Sequence, residues 1–370
     1  MTEFTGAFPA PSWTPPAREP FVPLRPLTLG QILAGAFRAL RHNPGVTLGP
    51  AIVLSLVATL GSTGFGLVVV QPLVAATGSG YGAVGLYAWL AVFGAGAIGF
   101  VVDRALVMGA GILQQGVSAV DVAHAVVGRR LTGGGLRRRT RGVRAPLLGW
   151  TAIVIAAFAV VGLGAVALLG VLTTIDPGLG VVGGVLVFPA VAVLLAWLGT
   201  KLAVVPSALV VERLRLGAGI RRSWSLTRRR FWRTFGIRAL CWSTIWIATA
   251  LVGVPVQLIA SWFTGILAGN GDIGDYLTVS AVGEVVAAVV AAVIGAVGLV
   301  VTTATDAILY LDLRMRREGL DLELARFMER RRPTTRFDPT ETDPYRPPAE
   351  VPQAAIRPSA DPAAEGSAWG

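Results

Sequence analysis

Glu284, Asp306 and Arg238 lie within or at the ends of long apolar runs, where a charge is disfavoured by at least about 2.5 kcal/mol unless something shelters it. Residues of this kind are the first candidates for chemistry. Glu284 is followed by Ala288, Ala292 and Ala296 at spacing four, beside a second small stripe of Gly283, Ala287, Ala291 and Gly295. Small residues at that spacing let helices approach closely, so Glu284 is expected to face protein and not lipid. It can act as a proton or cation site, accept from a neighbouring hydroxyl, or serve only as structure. Asp306 and Arg238 fall at similar depth, and an ion pair between them, or of either with Lys201, would neutralise the charge.

A second constellation is basic and aromatic. Arg221, Arg222, Arg228, Arg229 and Arg230 are interleaved with Trp224 and followed by Trp232. On a helix, Ile220, Trp224 and Phe231 approximate one apolar side and the arginines the other, the pattern of a helix lying in the headgroup plane. Such residues fit anionic lipid, since each basic group near a charged leaflet contributes about 1 kcal/mol. They equally fit plain topological anchoring. In the segment DLRMRREG, Asp312 with Arg316 and Arg314 with Glu318 stand four apart, as pairs on a solvated helix do.

Other chemistries find little support. His42 and His124 are the only histidines and Cys241 the only cysteine, too few for a metal centre or an internal disulfide. There is no His-Glu metal motif, no phosphate loop with Lys and Ser, and no nucleophile elbow. No catalytic residue, metal or cofactor is implied, and an enzyme is not expected. Gly94, Gly96 and Gly99 fall in an apolar run, where they indicate close packing and not a nucleotide loop.

The elements that position these residues follow from composition. A chain that is 54% hydrophobic and 14% charged is too apolar for a soluble protein of 370 residues. Six stretches offer roughly the 20 residues that a helix needs to cross the hydrocarbon: Val46–Val70, Val84–Val102, Leu147–Thr173, Val181–Val204, Thr234–Phe263 and Val279–Ala304. An all-α polytopic membrane protein with six transmembrane helices is predicted. The net charge of +11 would suggest nucleic acid in a soluble domain, but here the arginines crowd span ends, so no nucleic-acid partner is expected.

Orientation comes from the loops. Gln71–Ala83 carries no charge, Thr174–Gly180 only Asp176, and Gly265–Thr278 only Asp272 and Asp275. Asp103–Pro146 holds eight arginines, Thr200–Arg238 nine plus Lys201, and the chain after Asp306 eight before Phe337. Arginine-rich loops stay inside, which puts both termini in the cytoplasm of a cell whose plasma membrane the chain spans. Trp150, Trp197, Trp232 and Trp262 fall near span ends, as interfacial tryptophans do. Residues 1–26 hold seven prolines and no signal-peptide core, and residues 333–370 hold eight prolines among acidic and small residues. Both tails are expected to be disordered, flanking a membrane domain over 27–332.

Three segments on the basic side resemble one another. Leu29–Gly49 reads LGQILAGAFRALRHNPGVTLG, Leu216–Gly236 reads LGAGIRRSWSLTRRRFWRTFG, and a shorter relative, Leu131–Gly149, reads LTGGGLRRRTRGVRAPLLG. The unit would be an interfacial helix plus a two-span hairpin, present three times. Common descent gives this pattern, and so does the general placement of Arg and Trp before inward span ends.

Three stretches carry a resemblance to a known family: RPLTLGQILAGAFRALRHNPG at Arg25–Gly45, PSALVVERLRLGAGIRRSWSLTRRRFWRTFGI at Pro206–Ile237, and LYLDLRMRREGLDLEL at Leu309–Leu324, with VVGRR at Val126–Arg130 as a lesser motif. The chain resembles the actinobacterial glycerophosphoryl diester phosphodiesterase membrane-domain proteins over roughly Arg25–Met328. In some relatives that region is fused to a phosphodiesterase barrel. Nothing between these spans approaches the about 250 residues such a barrel takes. The resemblance therefore implies a standalone membrane domain and transfers no catalytic residue. Three functions remain in view: a lipid-engaging scaffold or accessory membrane subunit with anionic lipid of the cytoplasmic leaflet, and an unidentified membrane protein, as its partners; a small-solute or proton-coupled transporter or channel using Glu284; and, least supported, an enzyme acting on lipid.

Overall fold

The computed structural model describes residues 21–72, 86–128, 133–135, 141–268, 273–330 and Tyr345. Among them there are helices and no strands. Six stretches are long and apolar enough to cross a membrane: Pro44–Val70, Gly94–Val126, Arg144–Ile175, Pro177–Val211, Phe231–Ile266 and Thr278–Glu318. The chain is an all-α polytopic membrane protein.

The first helix, α1 (Leu29–His42), is closed by a capping box in which Thr28 and Gln31 exchange side-chain and backbone hydrogen bonds. It stops because Pro44 disfavours helical backbone at Asn43, which lies at φ −149° and ψ 69°, and Pro44 then opens α2 (Pro44–Phe65) at a position where a missing N–H is harmless. A π-helical turn, Gly66–Val70, continues α2. The next helix, α3 (Leu86–Val126), runs far beyond the expected end of the second span at Val102. Asp103 and Arg104 do not stop it because they pair with each other. The polar side of this continuation is not on the surface: Gln114, Gln115, Ser118, Asp121 and His124 are buried.

The third and fourth spans form a hairpin, α4 (Arg144–Ile175) and α5 (Pro177–Lys201), joined by Asp176 alone. The expected loop Thr174–Gly180 shrinks because Asp176 caps α5 by accepting from the Leu179 N–H at 3.1 Å and Pro177 starts the helix at once. At Gly180 an added Cβ would lie 2.0 Å from Thr173 Cγ2, so only glycine permits so close a return. Short helices α6 (Val205–Val211) and α7 (Leu216–Thr227) follow, and Arg213 turns the chain between them in the left-handed region at φ 55°. Then come α8 (Phe231–Ala268), α9 (Ile273–Glu318) and α10 (Leu320–Arg330), the last two separated by Gly319 at φ +66°.

The central post is α9, which packs on α1, α2, α3 and α8. Its Ala288, Ala292 and Ala296 stripe is buried, as the spacing predicted. Close approach shows at Gly298, where a Cβ would meet Ile245 at 2.6 Å, and at Gly35 of α1, where it would meet Ile308 at 2.9 Å. The largest buried cluster lies at the arginine-rich end, uniting Leu27, Ile32, Ala208, Leu226 and the run Ile308–Leu311 with Leu320. Along α4, α5 and α8 large apolar side chains such as Val160, Val185 and Leu251 point outward, as lipid-facing surfaces do.

The proposed repeat unit occurs in two of its three places as a basic helix, a break and a span: α1 into α2, and α7 into α8. In the third, Leu131–Gly149, residues 131–132 and 136–140 lie outside the described residues, and the basic stretch runs through a short 3-10 turn at Arg141–Val143 into the span that starts at Arg144. Two placements differ from expectation. Trp150 is buried against Val205 and Leu209 and is no interfacial residue, because α6 folds back over it. Among the described residues Gly94 and Gly96 have no neighbouring helix in close approach, since a Cβ at either would meet none of their atoms within 4 Å, whereas Gly99 does approach Phe65. Of the two tails, residues 21–26 and Tyr345 are among the described residues. Phe21, Val22 and Tyr345 are exceptions to the expected disorder: all three are buried, the Phe21 carbonyl accepts from Arg38 at 3.2 Å, and the Tyr345 hydroxyl donates to the Ala123 carbonyl at 2.6 Å.

Candidate functional site

Three arginines, Arg228, Arg229 and Arg230, occupy the break between α7 and α8. The break is held in place from behind. Ser223 Oγ and Thr227 Oγ1 both donate to the Lys201 carbonyl at the end of α5, at 2.8 and 3.3 Å. Small Gly219, Ser223 and Thr227 with Leu226 form the buried side of α7. Trp224 is exposed and Ile220 half-buried, both beside the arginines.

The result is a groove of about 1100 Å³ lined by Arg221, Arg228, Arg229, Arg230, Arg316 and Arg317 over Ile220 and Trp224. Arg316 and Arg317 come from the end of α9, nearly 90 residues away; the sequence placed Arg316 only in a pair with Asp312 and did not single out Arg317. Arg317 donates to the Ser225 carbonyl, which ties α9 to α7 across the groove. Among the described residues Arg221, Arg228, Arg229 and Arg230 have no carboxylate partner. Aromatic rings border the groove: Trp197 of α5 meets Trp224 edge-on at 5.6 Å, and Lys201 Nζ stands 5.3 Å from the Trp224 ring and 5.5 Å from that of Phe231. Trp232 is exposed and contacts Phe231 and Phe235.

Arg222 departs from its expected role. It turns inward, with Nε at 3.1 Å from both Glu212 oxygens and Nη1 at 2.6 Å from Glu318 Oε1. Burial acts against its charge, but Glu318 and Glu212 outweigh that and hold its pKa above the ordinary arginine value. Arg314 joins the same group, 3.0 Å from Glu318 and 3.6 Å from Glu212, while the Tyr310 hydroxyl donates to Glu212. The first half of the DLRMRREG segment, Asp312–Met315, is accordingly buried and not solvated, whereas Arg317 and Glu318 are exposed. Its i,i+4 pairs exist, yet Asp312 is fully buried and Arg314 nearly so.

Asp312 organises a second cluster. Its Oδ1 accepts from the Leu27 N–H at 2.8 Å and from Arg316 Nε at 2.9 Å, and Oδ2 accepts from Arg233. Arg233 and Arg316 in turn donate to the Leu27 carbonyl at 2.7 and 2.6 Å. One backbone residue ahead of α1 is thus clamped on both faces. The three stretches that carry the family resemblance meet here, through Leu27, Arg233 and Glu212, and Asp312 with Arg316. Both clusters are filled by their own partners, so neither offers a vacancy for a ligand.

The charges at membrane depth are likewise partnered. Arg238 Nε lies 2.9 Å from Asp306 Oδ1, and Arg238 also donates to the Gly199 carbonyl. Lys201 takes no part in that pair. Glu284 is half-buried and accepts from Gln71 Nε2 at 3.0 Å. A cavity of about 1240 Å³ among α3, α4 and α5 is walled by Val70, Gly94, Phe100, Phe158, Leu169 and Phe188 and other apolar groups, and Glu284 is not on its wall. The buried polar residues of α3, unremarked in the sequence, stitch helices together: Gln114 donates to the Thr47 carbonyl at 2.9 Å, Gln115 to Ala203 at 2.7 Å, and Ser118 meets Thr303 at 2.9 Å. A Gln-Gln pair inside an otherwise apolar span was the available signal. Among the described residues no group of His, Cys, Asp and Glu could hold a metal ion.

Compared with family models, curated proteins and solved structures, the chain matches none.

Proposed function

We propose that this chain is a plasma-membrane scaffold or accessory subunit whose arginine-rich face lies in the cytoplasm and engages anionic lipid. The observation that carries it is the groove: four arginines without carboxylate partners among the described residues stand beside exposed aromatic rings, at the end of the bundle where span-flanking arginines collect. Guanidinium groups left unneutralised by the protein favour an anionic ligand, and Trp at this position favours the depth of lipid headgroups. Kinship with the glycerophosphoryl diester phosphodiesterase membrane-domain proteins belongs to the same proposal, as a membrane region without a barrel. Transport through Glu284 is the weaker alternative, because its carboxylate is engaged by Gln71 and the cavity among α3, α4 and α5 is apolar.

The test is purification in nanodiscs of native lipid, followed by mass spectrometry of what stays bound. Enrichment of anionic lipid over the bulk membrane is expected, and bulk composition would sink the proposal. Orientation is tested separately in a Cys241→Ala background: a cysteine replacing Ser225 should resist labelling from outside the cell.

A further inference from the structure

Resting on that lipid-binding reading, we infer that the groove selects a phosphomonoester headgroup, a phosphate carrying nearly two negative charges, over the singly charged phosphodiesters of bulk anionic lipid. The inference begins with a charge inventory. Of the six arginines on the wall, Arg316 is committed to Asp312 and the Leu27 carbonyl. Arg317 gives a hydrogen bond only to a backbone carbonyl, and Arg221, Arg228, Arg229 and Arg230 have no ion-pair partner among the described residues. Five guanidinium charges therefore converge on one groove with no carboxylate among the described residues to balance them.

A phosphodiester headgroup brings one negative charge. A phosphomonoester brings about 1.5 to 2 at neutral pH, with three acceptor oxygens. Each guanidinium offers two parallel N–H donors matched to a pair of phosphate oxygens, so a monoester can be gripped from two or more sides at once. The supports of the groove are stiff: Arg317 is fixed to Ser225, and the Arg228–Arg230 turn is backed by Thr227 bonded to Lys201. The backbone that carries the arginines is thus fixed before a ligand arrives, and the ligand orders only their side chains. The volume, about 1100 Å³, accommodates a headgroup with its glycerol, and the apolar floor of Ile220 and Trp224 suits the start of the acyl chains.

Doubly charged phosphate also exists free in the cytosol. The rings of Trp197, Trp224 and Phe231 along one side of the groove place it at the membrane interface and favour the lipid source.

The experiment uses the full chain in phosphatidylcholine nanodiscs containing either phosphatidate or phosphatidylglycerol, adjusted to equal surface charge, with retained lipid counted by native mass spectrometry. A preference for phosphatidate of about tenfold is expected, falling to about twofold or less in the double variant Arg221→Gln/Arg229→Gln. Both positions are exposed and unpaired, so an unchanged melting temperature should accompany the loss. A third arm offers millimolar inorganic phosphate to protein in pure phosphatidylcholine. Tight phosphate binding there with no lipid preference would overturn the lipid assignment. Equal retention of the two lipids would overturn the headgroup selectivity while leaving anionic-lipid binding intact. Retention of neither would overturn both.

Discussion

The carboxylate of Asp312 accepts a hydrogen bond from the backbone N–H of Leu27 at 2.8 Å, across 285 residues of sequence. With Arg233 and Arg316 completing the cluster, the segment before α1 is locked to the end of α9 and the start of α8. Removing one partner of a buried ion pair leaves uncompensated charge, at a cost of about 3 to 5 kcal/mol. Asp312→Ala should therefore lower the melting temperature of the detergent-solubilised protein sharply or abolish its monodisperse peak. Asp312→Asn, which retains an acceptor oxygen, should fall between. Wild-type stability in Asp312→Ala would show that the clamp contributes little.

Arg238 and Asp306 invite a double-mutant cycle. Asp306 is the more deeply buried partner, and Arg238 retains the Gly199 carbonyl as a second acceptor. Loss of either side chain strands the other, whereas losing both removes the charges together. Asp306→Ala and Arg238→Ala should each destabilise, and the double variant should be less damaged than the sum of the two by about 1 kcal/mol or more. Strict additivity in thermal or denaturant unfolding would count against a coupled pair.

How much of this was legible in the sequence depends on the interaction involved. Apolar length and arginine placement depend on local composition, so the spans, the Ala288–Ala296 stripe and the Arg238–Asp306 pair could be read directly. Spacing cannot tell what stands opposite a helix. Arg314 and Glu318 are four apart on an exposed helix and on a buried one alike, and only the apolar residues around them, Leu311, Leu313 and Met315, hinted that the start of this segment is covered, while Arg317 and Glu318 stay exposed. The inward turn of Arg222 depends on Glu212 and Glu318, ten and 96 residues away. Nor does amphipathic pattern decide which side of α7 packs: Gly219, Ser223 and Thr227 win because they allow contact close enough for hydroxyl bonds to the end of α5. The groove was half visible, because Arg316 and Arg317 arrive from another helix.

The Asp176 hairpin makes a steric prediction. A methyl group at position 180 would overlap Thr173 Cγ2, so Gly180→Ala should force α4 and α5 apart at the turn. Overpacking of this kind costs about 1 to 3 kcal/mol. Thr173→Ser removes the clashing methyl and should restore part of the melting temperature in the Gly180→Ala background. No rescue would mean that the hairpin opens for some other reason.

Tyr345 makes a prediction about the C-terminal segment, which by composition alone should not be held anywhere. The side chain is buried in a notch lined by Val120, Ala123, His124, Val210, Val211 and Arg213, with the hydroxyl on the Ala123 carbonyl. Both ring burial and hydrogen bond contribute, but not equally: Tyr345→Phe gives up a bond worth about 1 kcal/mol, whereas Tyr345→Ala also gives up the apolar contact of the ring, some 3 to 5 kcal/mol in a well-packed site. Limited proteolysis of the purified protein separates the cases. The tail should be clipped fastest in Tyr345→Ala, at an intermediate rate in Tyr345→Phe and slowest in the wild type, while the six-span core remains intact in all three. Identical clipping rates would mean that Tyr345 does not retain the tail, and core fragmentation in Tyr345→Ala would assign the residue to the stability of the α3–α6 contact instead.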